Sequence, residues 1–184
     1  MQFIPQSIKD VILIEPTVHG DSRGYFCETF RQDLLDSFFA TKINFVQDNE
    51  SLSSKGVVRG LHYQTAPFSQ SKLIRVSNGR ILDIVLDIRK SSSSFGEHIS
   101  IELSDKNMRQ LFIPSGFAHG FIVLSETAKI NYKVDNYYSL ECDRGIAFND
   151  PNLKINWLLP KDDLKLSNKD MMHPKLKDAS DLFD

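Results

Sequence analysis

Residues 56–64, GVVRGLHYQ, place an arginine and a histidine inside a run that otherwise has the composition of a β-strand. The imidazole of His62 titrates near neutral pH, so this residue has the chemistry of a general base or a metal ligand. A hydrogen-bonded structural histidine is the third interpretation. A further histidine, His119, follows in the segment PSGFAHGF. The residue types therefore allow proton transfer or metal binding, depending on which side chains the fold brings to His62.

Further polar residues interrupt segments that are otherwise apolar and β-like. They are Arg23 and Glu28 in DSRGYFCETF, Gln47, Asp48 and Asn49 in QDN, Lys72 at the start of KLIRV, Tyr132 in INYKV, and Lys169 with Asp170 in LSNKD. Each has a structural alternative, because a strand tyrosine is often a core residue and a Lys–Asp pair in a polar tail is often a solvated ion pair. Residue types alone leave these alternatives open.

A metal site is disfavoured by the neighbours of His62. Metal-binding β-barrels commonly use a His-x-His pair on one strand, and here residue 64 is a glutamine. If Lys72 lies nearby, its ammonium group opposes a divalent cation. We therefore expect no metal at His62.

Composition limits the class of protein. The 184 residues carry 22 Lys and Arg against 24 Asp and Glu, so the net charge of -2 gives no basic field for nucleic acid or a membrane surface. The only cysteines, Cys27 and Cys142, suit a reducing compartment. The first ten residues lack the apolar core of a signal peptide, and no apolar run approaches membrane-spanning length. We expect a soluble cytoplasmic protein with one domain, 1–184, whose segment 160–184 packs on the rest.

Most of the chain has the pattern of short strands. Residues 31–40, RQDLLDSFFA, have the spacing of the one amphipathic helix in the first half. Asn78-Gly79, between KLIRVS and RILDIVLDI, predicts a β-hairpin with a tight turn. Asp83 alternates with apolar residues, so it either enters the interior beside Lys72 or faces solvent. Many short strands with one early helix predict a mainly β jelly-roll barrel with a few short helices.

Read together, seven segments resemble the dTDP-4-dehydrorhamnose 3,5-epimerases in register from about residue 3 to Asp170. They are RGYFCETF, QDNESLSSKGVVRGLHYQ, KLIRV, GRILDIVLDIRKSSSSFG, IPSGFAHGF, DRGIAFNDPNLKINW and LSNKD. The resemblance implies a homodimeric, cupin-type jelly roll without metal or cofactor. It also implies conversion of dTDP-4-dehydro-6-deoxy-D-glucose to dTDP-4-dehydro-L-rhamnose, a step that supplies rhamnose for bacterial surface polysaccharides.

The resemblance also implies catalytic roles. His62 corresponds to the base, Asp170 to the carboxylate that orients it, and Tyr132 to the acid on the opposite face of the sugar. Lys72 corresponds to the group that stabilises the enolate oxygen, with His119 as a contributor. Such roles are chemically reasonable, because inversion beside a ketone requires proton removal on one face and proton return on the other.

The substrate-binding positions follow from the same resemblance. Arg59, Gln47 and Asn49 are expected at the diphosphate, and Asp48 is a further substrate-binding position. Arg23 and Glu28 are expected on the nucleotide side, in a segment that relatives exchange between subunits. Asp143 and Lys169 fall on ligand positions, and Tyr138 is expected as an aromatic platform. Lys72 and His119 complete the set.

Strand alternation raises one structural requirement. Arg59 and His62 would point to opposite faces of a regular strand, so both reach one ligand only if Gly60 marks a bulge or the mouth of the barrel. Two alternative functions remain open at this level. One is an epimerase that acts at a single carbon or on another nucleotide keto-sugar, and the other is a non-catalytic sugar-binding cupin.

Overall fold

The computed structural model describes residues 1–39 and 42–184, and most of the regular structure in these ranges is β-strand. A six-stranded sheet has the spatial order β1 (Gln2–Pro5), β2 (Ile12–Glu15), β10 (Gln110–Ile113), β7 (Lys72–Asn78), β12 (Thr127–Val134) and β5 (Gln47–Ser54). A five-stranded sheet has the order β13 (Asp143–Gly145), β6 (Val58–Gln64), β11 (Phe117–Val123), β8 (Arg80–Asp87) and β9 (His98–Ser104). All neighbouring pairs within these sheets are antiparallel.

The remaining elements are short. A separate hairpin consists of β3 (Val18–Asp21) and β4 (Gly24–Cys27), and the helices are α1 (Gln32–Phe39) and α2 (Asn168–Met171). Single 3-10 turns occur at Leu140–Cys142, Lys161–Asp163 and Leu176–Asp178. The predicted mainly β fold with few short helices is confirmed, although the two sheets pack as a sandwich and do not close into one hydrogen-bonded barrel.

The main core lies between the two sheets. Ile74 and Val76 of β7 belong to the same buried cluster as Ile81 and Val85 of β8. Burial of aliphatic side chains like these, at about 25 cal/mol per Å² of apolar surface, is the main source of free energy that holds the sheets together. The polar site described below lies at one end of this core.

The outer face of the five-stranded sheet is also covered. Leu82 and Ile84 of β8 lie in a second buried cluster, against which Leu164, Leu166 and Leu176 of the C-terminal segment pack. Strand β8 is therefore buried on both faces, so its alternate residues cannot be divided into a core set and a solvent set.

The prediction of a β-hairpin at Asn78-Gly79 is wrong. Strand β7 pairs with β10 and β12, whereas β8 pairs with β9 and β11, so the chain crosses from one sheet to the other at this turn. Gly79 does adopt a positive φ of 80°, and a Cβ there would lie 2.1 Å from the carbonyl oxygen of Thr127. The Asn-Gly pair thus specifies a sharp change of direction, and packing of the two sheets decides that the flanking strands do not pair.

Helix α1 covers part of the outer face of the six-stranded sheet. It begins one residue later than the predicted segment and is described to Phe39; Ala40 lies outside the described residues. Leu35 is buried in a third cluster with Phe112 of β10 and Leu73 of β7. None of the helices in the described ranges has the length and apolar character needed to cross a bilayer.

Candidate active site

Two adjoining cavities open at the end of the sandwich where β6 ends and β7 begins. The outer cavity has a volume of about 450 Å³ and the inner one about 170 Å³. Three side chains line both of them: His62, Lys72 and Tyr132. Because three of the four residues predicted to be catalytic meet here, we take this place as the candidate active site.

A β-bulge brings Arg59 and His62 to the same cavity. Between these two residues β6 has two positions where β11 has only Gly120, so the register shifts by one residue. Gly60 has a φ of 126°, and a Cβ on it would lie 2.4 Å from the Cα of Gly120. The bulge expected at Gly60 is therefore confirmed, and it requires glycine because the two backbones nearly touch.

His62 and Asp170 form a hydrogen-bonded pair although they are 108 residues apart in sequence. Nε2 of His62 donates to Oδ1 of Asp170 over 2.5 Å, and the aspartate side chain is only 5% exposed. Asp170 lies in the first turn of α2, where the Oγ of Ser167 accepts from its backbone N–H (3.1 Å) and donates to its Oδ2 (2.8 Å). With Nε2 occupied, Nδ1 is the nitrogen of His62 that is left to take up a proton.

The environment sets the charge state of this pair. Burial lowers the pKa of His62, although Asp170 opposes the effect, so the imidazole is neutral at pH 7. Burial raises the pKa of Asp170, but the opposing effects of His173, His62 and Ser167 outweigh it, so its pKa lies below the usual range. The pair therefore consists of a neutral imidazole oriented by a carboxylate.

Lys72 lies beside a buried His–Asp pair. Asp83 is fully buried, and both its oxygens lie within hydrogen-bond distance of His119 Nε2, at 2.9 and 3.0 Å. This resolves the alternative left open by the sequence: Asp83 enters the interior and its direct partner is His119. The Nζ of Lys72 donates to the carbonyl oxygen of His62 over 3.5 Å. Burial lowers the pKa of Lys72 to about 8, against the opposing charges of Asp143 and Asp83.

Tyr132 approaches the cavity from the other sheet. It lies on β12 between the buried residues Ile130 and Val134, and it pairs with Asn49 of β5. The side chain is half-buried, and burial raises the pKa of its phenol, so the hydroxyl keeps its proton at neutral pH. Tyr132 is thus positioned from the six-stranded sheet and His62 from the five-stranded sheet, with the cavities between them.

Other predicted binding residues line the outer cavity. The amide of Gln47 donates to Oδ1 of Asn49 over 2.9 Å. Asp143 accepts from the hydroxyl of Tyr138 at 2.9 Å and forms an ion pair with Lys169. All five line the outer cavity, which therefore presents amides, a phenol and a lysine to a polar ligand.

Three predicted binding residues are not brought to these cavities within one chain. Asp48 pairs with Lys133 at 2.9 Å on the opposite face of β5, because successive strand residues alternate between faces. Arg23 lies on the β3–β4 hairpin, where Asp21 is its one ion-pair partner among the described residues, and Glu28 pairs with Arg31. Their predicted roles require a second subunit or remain without support.

Two residues next to the pair were missed by the sequence reasoning. Ser167 has a recognisable pattern, because Ser-x-x-Asp is typical of a capped helix start. His173 has none, since it lies in a polar, charged segment. The ligand atoms of His62, Asp170 and His173 lie within 4.8 Å of one another, which is close enough to hold a metal ion. The sequence argument that His62 has no imidazole partner applied only to its own strand, whereas His173 lies in the C-terminal segment.

Comparisons with known proteins show which family this sequence resembles. The family model described as dTDP-4-dehydrorhamnose 3,5-epimerase matches residues 5–178. A curated relative of that name from Shigella flexneri is 48% identical over 179 residues, covering 97% of this chain and 98% of its own.

Solved structures share the fold over nearly the whole chain. The epimerase of the same name from Elizabethkingia anophelis has a TM-score of 0.93 at 44% identity, with 97% of each chain covered. The Legionella pneumophila dTDP-6-deoxy-D-glucose-3,5-epimerase, solved in complex with dTDP-4-keto-L-rhamnose, has a TM-score of 0.93 at 41% identity, covering 97% of this chain and 94% of its own. With this agreement in sequence and fold, the chain belongs to the dTDP-4-dehydrorhamnose 3,5-epimerase family.

Proposed function

We propose that this protein converts dTDP-4-dehydro-6-deoxy-D-glucose to dTDP-4-dehydro-L-rhamnose by proton transfer at C3 and C5. One observation carries the proposal: a neutral imidazole and a protonated phenol enter the same cavity from two facing sheets. A sugar ring held between His62 and Tyr132 meets a base on one face and an acid on the other. Family membership and the named relatives support the same reaction.

Proton removal falls to Nδ1 of His62. The hydrogens at C3 and C5 are acidified by the C4 ketone, and loss of either proton produces an enolate. Asp170 holds the N–H on Nε2 and so keeps the lone pair on Nδ1, and it stabilises the imidazolium that forms. Both effects, fixing the tautomer and stabilising the imidazolium, require the buried, ionised carboxylate described above.

Lys72 supports the enolate electrostatically. Its ammonium group lies in both cavities, next to the backbone of His62, and a fixed cation in a poorly hydrated site stabilises developing negative charge better than water does. His119 also lines the inner cavity, where Asp83 orients its ring. We assign both to the stabilisation of the C4 oxygen.

Tyr132 returns a proton to the opposite face. Because burial raises its pKa, the phenol is protonated when the enolate forms. Donation of that proton to carbon inverts the centre and leaves a phenolate on Tyr132 and an imidazolium on His62. Exchange with water restores both groups before the second carbon reacts.

Substrate binding is assigned to the cations and amides around the cavities. Arg59 offers planar paired donors to a diphosphate, and Gln47 and Asn49 add neutral donors. Asp143 and Lys169 would contact the nucleotide sugar at the cavity mouth, with Tyr138 beside them as the aromatic platform.

We also propose a homodimer in which the β3–β4 hairpin completes the partner's site. Tyr25 and Phe26 are 64% and 66% exposed in the single chain, which is unusual for two adjacent aromatic residues. Arg23 on the same hairpin has no contact with the cavities of its own chain.

The free thiols Cys27 and Cys142 suit a cytoplasmic enzyme. We assign this enzyme to the supply of rhamnose for surface polysaccharide.

The decisive experiment is NMR of dTDP-4-dehydro-6-deoxy-D-glucose in D2O with the purified protein. We expect deuterium to enter both C3 and C5 and the L-rhamno product to form. Deuterium at one carbon would indicate a single-carbon epimerase, and none at either would indicate a binding protein. His62→Ala is the matched variant: exchange at both carbons should be lost while dTDP binding, measured by calorimetry, is nearly unchanged.

A further inference from the structure

The region behind His62 contains a second imidazole that the proposed reaction does not use. His173 follows α2 in the chain, and its side chain is only 10% exposed. Its ring stands edge-on to that of His62, with the ring centroids 5.4 Å apart and the planes at 78°. A Cβ on Gly145 would lie within 2.6 Å of three atoms of this ring, so the backbone of β13 packs directly against it.

The inner nitrogen of this ring lacks a partner. Nε2 of His173 is buried and has no hydrogen bond within residues 1–39 and 42–184. It lies 3.6 Å from Oδ1 of Asp170, which is too far for a hydrogen bond. Few buried polar atoms in folded proteins are left without a partner. With its hydrogen on Nδ1, this ring presents the lone pair of Nε2 beside a carboxylate and a second imidazole, which is the position of a metal ligand.

We propose that Nε2 of His62, Oδ1 of Asp170 and Nε2 of His173 form an inhibitory site for a divalent transition-metal ion such as Zn²⁺. One ligand atom from each of these residues lies within 4.8 Å of the other two. Two imidazoles and one carboxylate are a ligand set that Zn²⁺ accepts, with a fourth position left for water.

The geometry requires movements of up to about 1.5 Å. With bonds of about 2.0–2.2 Å, the ligand atoms of a tetrahedral zinc site are roughly 3.3 Å apart. The distance of 2.5 Å from His62 to Asp170 has to open by less than about 1 Å, and the distance of 3.6 Å from His173 to Asp170 contracts slightly. The nitrogens of His62 and His173, which lie within 4.8 Å of each other, have to approach by up to about 1.5 Å.

Nearby charges do not exclude a cation. Lys72 and Lys169 act on His62 as positive charges. However, Lys169 is ion-paired with Asp143, and the charges of Asp143 and Asp83 also act on Lys72. The carboxylate of Asp170 therefore adds a negative charge to surroundings whose cations are already largely balanced.

Metal binding here would block the base without filling the substrate cavity. A neutral imidazole has one lone pair, and once that pair binds the ion through Nε2 the ring carries its hydrogen on Nδ1. His62 then cannot accept a proton from carbon. His173 and Asp170 line neither cavity, so the ion would lie behind the imidazole and leave nucleotide binding intact. The inhibition, unlike the binding itself, rests on the proposed function.

Titration with Co²⁺ tests the site without any enzymatic reaction. We expect the wild-type protein to bind one Co²⁺ per chain with visible absorption bands. His173→Asn keeps a small polar side chain but removes Nε2, so it should weaken binding at least about tenfold, since even loss of an outer-shell partner costs about 10–100-fold. His173→Phe keeps a ring and serves as a second variant, and His98→Asn controls for unspecific binding to a histidine elsewhere. Unfolding midpoints close to wild type show that each variant is folded.

Two results would overturn the site: no Co²⁺ binding by the wild-type protein, or the same affinity in both His173 variants. For the inhibition, Zn²⁺ should suppress deuterium exchange in the wild type, EDTA should restore it, and His173→Asn should resist the ion. Equal sensitivity of the variant would refute the inhibitory role. Failure of the metal-free wild type to turn over the substrate would count only against the proposed function, because the Co²⁺ titration decides the site independently.

Discussion

The substitution Asp170→Asn tests the proposed mechanism at its most specific point. It keeps the shape of the side chain and removes the charge that orients His62. The carboxylate is buried, and its two oxygens are held by His62 at 2.5 Å and Ser167 at 2.8 Å, so an amide would occupy the same place. We expect folding and nucleotide binding to survive while proton removal becomes very slow.

Two effects add to the magnitude. A hydrogen bond to a charged group contributes about 1.5–3 kcal/mol, and each 1.36 kcal/mol lost from the transition state slows a reaction about tenfold. In addition, an amide N–H directed at Nε2 would hold the ring hydrogen on Nδ1, where the proton from carbon must arrive. The equivalent change in a serine-protease triad, which creates the same tautomer problem, lowers the rate about 10⁴-fold. We therefore expect a decrease of about 10³–10⁴-fold.

The assay is the rate of deuterium entry at C3 and C5 in D2O, followed by NMR. Ser167→Ala is the matched control, because it removes the partner of Oδ2 and leaves the contact between His62 and Oδ1 in place. Its rate should fall by about tenfold or less, because the Ser167 hydrogen bond is made in the ground state and in the transition state alike. Affinity for dTDP should be unchanged in both variants. If Asp170→Asn exchanges deuterium within about tenfold of the wild-type rate, the dyad does not orient the base.

Tyr132→Phe should let deuterium enter faster than the product inverts, because His62 still forms the enolate but returns the proton to the original face; a parallel loss of both rates would assign the acid to another group. Turnover should decrease as the pH rises through about 8, where Lys72 loses its proton. Once most of Lys72 is deprotonated, the rate should fall about tenfold for each further pH unit. Replacing Lys72 with arginine, which stays protonated, should abolish this decrease in turnover at high pH, whatever the maximal rate of the variant. If the decrease persists, another residue causes it. Activity should survive EDTA, and a loss restored by one divalent ion would contradict the cofactor-free reaction. Light scattering at micromolar concentration should detect a dimer, and a fully active monomer would refute the shared site. Arg23→Ala should weaken nucleotide binding only if the hairpin reaches the site of the partner subunit. Arg80→Ala, at an exposed position away from the hairpin, is the control.

The local elements and the types of reactive side chain can be predicted from the sequence. The helical spacing after Arg31, the period-two strands and the turn at Gly79 follow from backbone preferences that act over a few residues, and each is present in the structure. The bulge at Gly60 could also be expected, since only a local irregularity brings Arg59 and His62 to one cavity. The family resemblance then supplied roles that no single motif specifies.

Packing between distant parts of the chain sets which residues meet. Strands β7 and β8 are joined by a tight turn yet lie in different sheets, because each finds better partners elsewhere in the sandwich. Asp83 is buried against His119, since β8 is covered on both faces and alternation no longer separates core from solvent.

The same holds for the environment of the base. The C-terminal segment packs on the five-stranded sheet and so carries Asp170 and His173 to His62 from more than a hundred residues away. Apolar side chains drive that docking, and the polar residues between them are placed as a consequence. Hydrophobic burial is non-directional and acts between distant parts of the chain, so no local pattern could reveal the second imidazole behind the base.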